Sequence, residues 1–374
     1  MPSKLAVVPL ALAAPVFAQS ARWEYVEIPR GDADGILLRG VNEQGHAVGI
    51  REWGAKSLGT YRSQPFLWDG SQRIDFENPA NGSLVPAGIT NDGTIYANLL
   101  DLNGQPHAGV LSSGGFTGLS FTGGAPDGSA VVFVHPDSGF IVNEIRAGVY
   151  SPSVGFGGAV VEAVASPVDG SFQATSFNRT GQIAGFTRVN DRTHSYSLRD
   201  DRFELLSLPP GYEDAYATGI NESGDMVGTV HDANGNLDPQ AVRWTAGDAE
   251  VLPLPGPGWG FASRINDVGD VAGSIYIPGD PSHTGAVVWS GGDVLMVAQH
   301  VVGLPAQYPL HDVAAITDSG FLLVSSQISF GENGSQTITI LLRPIPSPGA
   351  WVLVALGLGL SASRRRARAE RVTP

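Results

Sequence analysis

The sequence predicts an all-β protein: a β-propeller of about seven four-stranded blades, with the N-terminal strand closing the last blade. Three observations carry this. A glycine-containing phrase recurs about every 45 residues. Composition favours short strands and tight turns. The two ends of the repeat region complete one unit between them.

The phrase is clearest at Ile265-Asn266-Asp267-Val268-Gly269-Asp270-Val271-Ala272-Gly273. Aligned on its first glycine, the copies fall at Gly45, Gly93, Gly139, Gly181, Gly224, Gly269 and Gly320, at spacings of 42 to 51 residues. Self-similarity at that period is the mark of propeller blades. The third copy is worn and reads Pro136-Asp137-Ser138-Gly139, with proline where asparagine is expected. The seventh, Thr317-Asp318-Ser319-Gly320, carries threonine there. Asparagine caps a tight turn and glycine supplies its positive φ, so the Asn-x-x-Gly turns read as backbone chemistry and not as a repeated ligand site.

The chain has 49 glycines and 26 prolines in 374 residues and only 16% charged residues. Long helices tolerate neither glycine nor proline at that density. With 42% apolar residues there is ample material for a core. The fifth copy parses into one unit. Ala217 to Ile220 is a strand, Asn221-Glu222-Ser223-Gly224 a turn, and Asp225 to Val230 the second strand. His231 to Pro239 is a loop, Gln240 to Trp244 the third strand, and Glu250 to Pro255 the fourth. Four antiparallel strands in this length make a propeller blade.

The segment Trp23 to Pro29 matches a fourth strand. Val313 to Ile316, Phe321 to Gln327 and Thr337 to Leu342 match the first three strands of the last unit. The last blade would therefore borrow its outer strand from the N-terminus, which closes the ring without leaving an unpaired edge. An open solenoid gives no reason to split one unit across both ends; a pair of β-sandwiches is the other alternative.

Cysteine is absent, which excludes disulfide scaffolds and thiolate metal sites. Residues 1–18 read as a signal peptide: Lys4 opens an apolar run, and Val16-Phe17-Ala18 is a small-residue cleavage site, with cleavage expected between Ala18 and Gln19. Residues 19–345 form the repeat region. Residues 346–374 hold a Pro346-Ser347-Pro348-Gly349 break, an apolar stretch from Ala350 to Ala362, and the cluster Arg364-Arg365-Arg366-Ala367-Arg368. That stretch is shorter than the roughly 20 residues that span a bilayer comfortably. The arginines would hold its end on the cytoplasmic side.

This tail resembles the PEP-CTERM sorting signal of exosortase-processed bacterial surface proteins, with Ser347 where the family's middle glutamate stands. The resemblance implies export machinery and an exosortase-like enzyme as partners, temporary membrane retention, and cleavage near Pro346 and Pro348. A permanent C-terminal membrane anchor is the alternative. The repeat itself resembles the HAF family of bacterial extracellular repeats. The likeness rests on the Asn-x-x-Gly phrase and on third strands such as Gln64-Pro65-Phe66-Leu67-Trp68, Pro106-His107-Ala108-Gly109-Val110 and Ala286-Val287-Val288-Trp289. It implies an exported repeat protein and no catalytic residues.

Formal charge is −14 for the whole chain. Without Lys4 and the C-terminal Arg364, Arg365, Arg366, Arg368, Glu370 and Arg371, 16 basic and 35 acidic residues remain, a net of −19. Such a surface repels nucleic acid and anionic lipid. No G-x-S-x-G, H-E-x-x-H or phosphate-binding glycine loop occurs, so the reading is non-enzymatic. The eight histidines are scattered singly, and His107 and His194, at equivalent repeat positions, read as blade packing. Asp232, Asn234 and Asp238 alternate around Gly235 as oxygen ligands of Ca2+ could, although no distal glutamate follows.

Units differ most in the loops from the fourth strand to the next first strand. These share a face with the second-to-third loops, opposite the Asn-x-x-Gly turns. Tyr212, Asp214, Trp259, Tyr308 and Asp34 lie there as candidate ligand-binding residues. Aromatic rings among carboxylates suit sugar stacking and hydroxyl hydrogen bonds, so the expected ligand is an extracellular polysaccharide. Packing of the same rings between blades is the competing reading. A propeller lyase or hydrolase using Asp34, Asp214, His311 and Asp312, and a structural adhesin acting by protein contacts, are the alternative functions.

Overall fold

A computed structural model describes residues 22–345, apart from 55–61, 122–128, 138, 147–148, 157–159, 164–171, 201, 233 and 330–334. The expected signal peptide and sorting tail lie outside the described residues. Seven sheets are present among these residues, five antiparallel ones of four strands and two of five strands whose outermost strand is parallel. They are the blades, numbered 1 to 7 in chain order. Blade 1 runs Gly35–Val41, Ala47–Trp53, Arg62–Trp68 and Arg73–Asp75, and blades 2 to 6 repeat the pattern. In blade 3 the two-residue strand Ser120–Phe121 adds in parallel outside Val160–Ala163.

Blade 7 takes its first three strands from Leu310–Ile316, Leu322–Ser329 and Ser335–Pro344. Its fourth is Trp23–Val26, paired antiparallel with Trp23 opposite Pro344 and Val26 opposite Leu341. The short strand Val301–Val302 then runs parallel outside Trp23–Glu24. The N-terminal closure read from the sequence is therefore present. Trp23 secures it: the ring is buried between blades 6 and 7, and its Nε1 donates to Gly320 O at 3.0 Å.

The apolar core is divided into seven clusters, one at each interface between neighbouring blades. Second strands show how. Ala47 points into the cluster shared with blade 7, and its neighbour Val48 into the one shared with blade 2. Met226 and Val227 divide in the same way between blades 4 and 6. Both faces of these strands are covered, so they read as near-continuous apolar runs and not as alternation. Tryptophans ending the third strands pin neighbours together. Trp244 Nε1 donates to Ser207 O of blade 4's exit at 2.8 Å, and Trp289 Nε1 to Pro253 O at 2.7 Å.

Each first strand carries a β-bulge at one position, three residues before the phrase's asparagine or its replacement. The bulged residues are Arg39, Ala87, Val132, Thr175, Thr218, Ser263 and Ala314. Bulges increase local twist, and here they turn each blade's inner strand around the axis. They also explain the phrase's second glycine. A Cβ on Gly185, Gly228 or Gly273 would lie 2.0 Å from the carbonyl oxygen of Gln173, Tyr216 or Phe261, which the bulge pushes against it. The first glycine answers to its φ, +85° at Gly224 and +88° at Gly269.

Two details of the sequence reading change. The fourth strand of blade 5 is Asp248–Val251 and not Glu250 to Pro255, because Pro253 and Pro255 cannot donate to a ladder. The third copy of the phrase is slid by one residue. His135 pairs with Gly139 and Val134 with Phe140, so His135, not Pro136, holds the asparagine position.

Candidate functional site

The turns between first and second strands surround one end of the axis, and the four Asn-x-x-Gly copies, at Asn42, Asn178, Asn221 and Asn266, form more than turns. The amide oxygen of each asparagine accepts the backbone N–H four residues on: His46 at 3.0 Å, Gln182 at 3.1 Å, Asp225 at 2.9 Å and Asp270 at 2.8 Å. Its Nδ2 donates to the equivalent backbone carbonyl of the next blade. Asn42 reaches Thr90 O, Asn178 reaches Asn221 O, Asn221 reaches Asn266 O and Asn266 reaches Thr317 O, at 3.0 to 3.2 Å. Thr90 and Thr317 keep only the local half, accepting from Thr94 N at 3.1 Å and Phe321 N at 3.0 Å.

A second ring lies just outside the first. Glu43 N donates to Asn91 Oδ1, and Asn91 Nδ2 to Asp137 Oδ1. Arg179 Nη1 lies 3.3 Å from Asp137 Oδ2, and Arg179 N donates to Glu222 Oε1. Glu222 N donates to Asp267 Oδ1, Asp267 N to Asp318 Oδ1, and Asp318 N to Glu43 Oε1. The circuit passes through all seven blades and returns to its start. It gathers five carboxylates. His135 touches it from inside, with Nε2 3.0 Å from Glu222 Oε1; burial lowers its imidazole pKa, and the glutamate opposes that. For Asp318, burial is the largest influence and the charges of Asp267 and Glu43 add to it, raising its pKa to about 6. This girdle bounds an axial cavity of about 310 Å³ lined by residues of every blade.

The opposite face holds the loops singled out from the sequence, and Tyr212 and Trp259 come together there. Trp259 Nε1 donates to Asp238 Oδ1 at 2.8 Å, and Tyr212 Oη to Asp238 O at 3.2 Å. Trp259 stacks obliquely on Tyr276, with ring centroids 5.2 Å apart and planes at 47°. These two rings are 40% and 43% exposed, so they form an open surface and not inter-blade packing. Leu237, also exposed, and Gln240, whose Nε2 donates to Gly258 O, border them. Tyr276 was not singled out from the sequence. Its signal was its place at the end of a second strand, on the same face as Trp259.

The other candidates are elsewhere. Tyr308 packs beside Tyr25 against the blade 6–7 core, with centroids 6.1 Å apart. Asp34 Oδ2 accepts from Gly54 N at 2.7 Å in blade 1. Asp214 Oδ1 accepts from Thr193 N at 2.6 Å, which ties blade 5 to blade 4. Both carboxylates are engaged by backbone N–H groups. Asp312 is enclosed and accepts from Ser263 Oγ at 3.1 Å, whereas His311 beside it is exposed.

The calcium reading of residues 232–238 does not fit this loop. Asp232 spends its carboxylate on the N–H groups of Asn234, Asn236 and Leu237, at 2.7 to 3.1 Å. Asp238 turns to Trp259. The oxygens close an Asx turn instead of converging on a cation. No group of three histidines or carboxylates placed to hold a metal occurs among the described residues.

No protein-family model matches the sequence, and no curated protein matches it. Solved structures match the fold. The β-propeller domain of the Trilobed protease from Pyrococcus furiosus, described as having an open velcro topology, superposes with a TM-score of 0.53 at 11% identity, covering 81% of this chain and 98% of that one. An acylaminoacyl peptidase from Pyrococcus horikoshii superposes with a TM-score of 0.54 at 10% identity, covering 87% of this chain and 55% of the peptidase. At such identity the likeness is one of fold: the chain is a β-propeller similar to the propeller domains of peptidases.

Proposed function

We propose that the protein is an exported, cell-surface or extracellular propeller that binds polysaccharide without chemically altering it. The observation that carries this reading is the exposed Trp259–Tyr276 pair with Asp238 fixed beside it. Aromatic faces carry the negative lobe of the ring quadrupole, which suits the polarised C–H face of a pyranose. The Asp238 carboxylate and the Gln240 amide oxygen supply acceptors at the rim for hydroxyl groups. The negative net charge favours an uncharged or amino-bearing glycan over an anionic one. Export and surface sorting rest on residues 1–18 and 346–374.

The test is a glycan array, followed by affinity electrophoresis of the purified protein in gels containing a hit. The Trp259→Ala, Tyr276→Ala double variant should lose retardation while its unfolding free energy stays within about 2 kcal/mol of wild type. A blank array, or undiminished retardation of the folded variant, refutes the reading.

A further inference from the structure

Neighbouring first strands approach most closely two residues before the asparagine position. Small residues stand there in five blades: Gly40, Gly88, Ser176, Gly219 and Ala315. The crowding is tangible, since a Cβ on Gly40 would lie 2.7 Å from Gly88 Cα and one on Gly88 2.6 Å from Val134 Cβ. The two exceptions are Phe133 in blade 3 and Arg264 in blade 6. They meet across the axis, with the guanidinium carbon 5.8 Å from the centre of the phenyl ring.

Arg264 is a cation inside the molecule without a contact ion pair. Its Nη1 donates to the carbonyl oxygens of Thr218 and Ser263, at 3.0 and 2.7 Å. Among the described residues no carboxylate lies within salt-bridge distance of it. Asp312, whose charge acts on it from further off, is held by Ser263 Oγ. The side chain is half-buried and keeps an open surface toward the axial cavity that it lines. Carbonyl dipoles and a ring face compensate a guanidinium only in part, and buried charges normally find a counter-charge. The cavity is where one would enter.

The girdle decides what kind of ligand can do so. At the girdle Glu43, Asp267 and Asp318 repel a simple anion, although Arg39 adds a second cation to the cavity lining. A simple cation is held at the mouth but repelled by Arg264 further in. We propose that the axial cavity binds a small zwitterion, its carboxylate on the Arg264 guanidinium and its ammonium group against Glu43, Asp267 and Asp318. The guanidinium lies at the level of residues 218 and 263, roughly 10 Å along the strands from the girdle. Two hydrogen bonds of about 2.8 Å leave roughly 4–5 Å between the ligand's charged ends. That is the span of a short ω-amino acid, and the cavity of about 310 Å³ accommodates one. This site lies at the opposite end of the axis from Trp259 and stands or falls independently of glycan binding.

The test is calorimetric titration of the full chain with glycine, 4-aminobutanoate and 6-aminohexanoate, using butanoate and butylamine as single-charge controls. The expected result is tightest binding by 4-aminobutanoate, at least about tenfold tighter than either control. Arg264→Met should abolish it and Arg264→Lys should retain part of it. Because Arg264→Met can fail to fold, the Glu43→Gln, Asp318→Asn double variant provides a second reading. It should weaken 4-aminobutanoate about tenfold and strengthen butanoate. Equal binding of the zwitterion and a single-charge control, affinity unchanged in the folded variants, or no binding of the series by the wild-type protein each overturns the proposal.

Discussion

Asn221 can separate the turn from the link between blades. It is 4% exposed, its Oδ1 accepts Asp225 N at 2.9 Å, and its Nδ2 donates to Asn266 O at 3.2 Å. Asn221→Ala removes both bonds and strands the partly buried Asp225 N–H, while Asn266 O keeps its bond from Gly269 N at 3.1 Å. One unmet donor costs about 1–2 kcal/mol and the lost bond between blades about 0.5–1.5 kcal/mol, so the loss should be about 2–3 kcal/mol. Asn221→Thr is the internal control, because Thr90 and Thr317 already occupy this position in blades 2 and 7 and keep the local acceptor. It should lose only the bond to blade 6, about 0.5–1.5 kcal/mol. Urea unfolding followed by tryptophan fluorescence and far-UV circular dichroism, with coincident transitions, measures both. If Asn221→Thr unfolds like wild type, the inter-blade bond contributes nothing and the asparagine serves the turn alone. If threonine and alanine cost the same, the local bond contributes nothing.

Deleting residues 19–30 removes the strand Trp23–Val26 and the buried Trp23 ring, leaving Ser335–Pro344 without its outer partner; the truncated chain should show no cooperative thermal transition in calorimetry, and a sharp one would show that the ring closes without this strand. Gly228→Ala drives a Cβ to 2.0 Å from Tyr216 O and should cost about 3 kcal/mol or more, whereas Gly93→Ala, at φ +88° with open space around it, should cost only about 1 kcal/mol by denaturant titration. Equal costs would remove the bulge as the reason for the second glycine. A carboxyl whose folded pKa is raised, as at Asp318 to about 6, stabilises the fold most below its unfolded pKa of about 4, and that stability is lost as pH rises through about 6. Asp318→Asn keeps an acceptor for Asp267 N, so it should raise the melting temperature at about pH 8 and leave it unchanged at about pH 4. Because the side chain is only partly buried and solvent screens its charge, the gain should stay below about 1 kcal/mol; a loss at high pH would contradict like-charge crowding in the girdle.

The Asn-x-x-Gly turns were legible in the sequence because their chemistry is local: the φ of Gly224 and the cap on Asp225 N are satisfied within five residues. The seven blades were legible as a period, and the closure as a unit divided between residues 23–29 and 313–342. Which aromatic residues would be open was only half legible. Trp259 stands out in the sequence, but Tyr276, its stacking partner, lies 17 residues further on across a hairpin. Tyr308 reads like Trp259 by composition and is instead packed beside Tyr25, because burial depends on what covers a ring and not on its neighbours in the chain.

By itself, then, the sequence determined the blade, its repetition and the strand that completes the ring, since strand period, turn residues and register are properties of short stretches. The tertiary structure alone decided the rest. It set the offset between blades, which hands each asparagine a carbonyl 43 to 51 residues away. It placed the bulge that forbids a side chain at Gly228 and slid the worn third copy so that His135 stands in line. It brought Arg264 face to face with Phe133, from blades three apart, because closing seven sheets into a ring puts opposite members across one narrow axis.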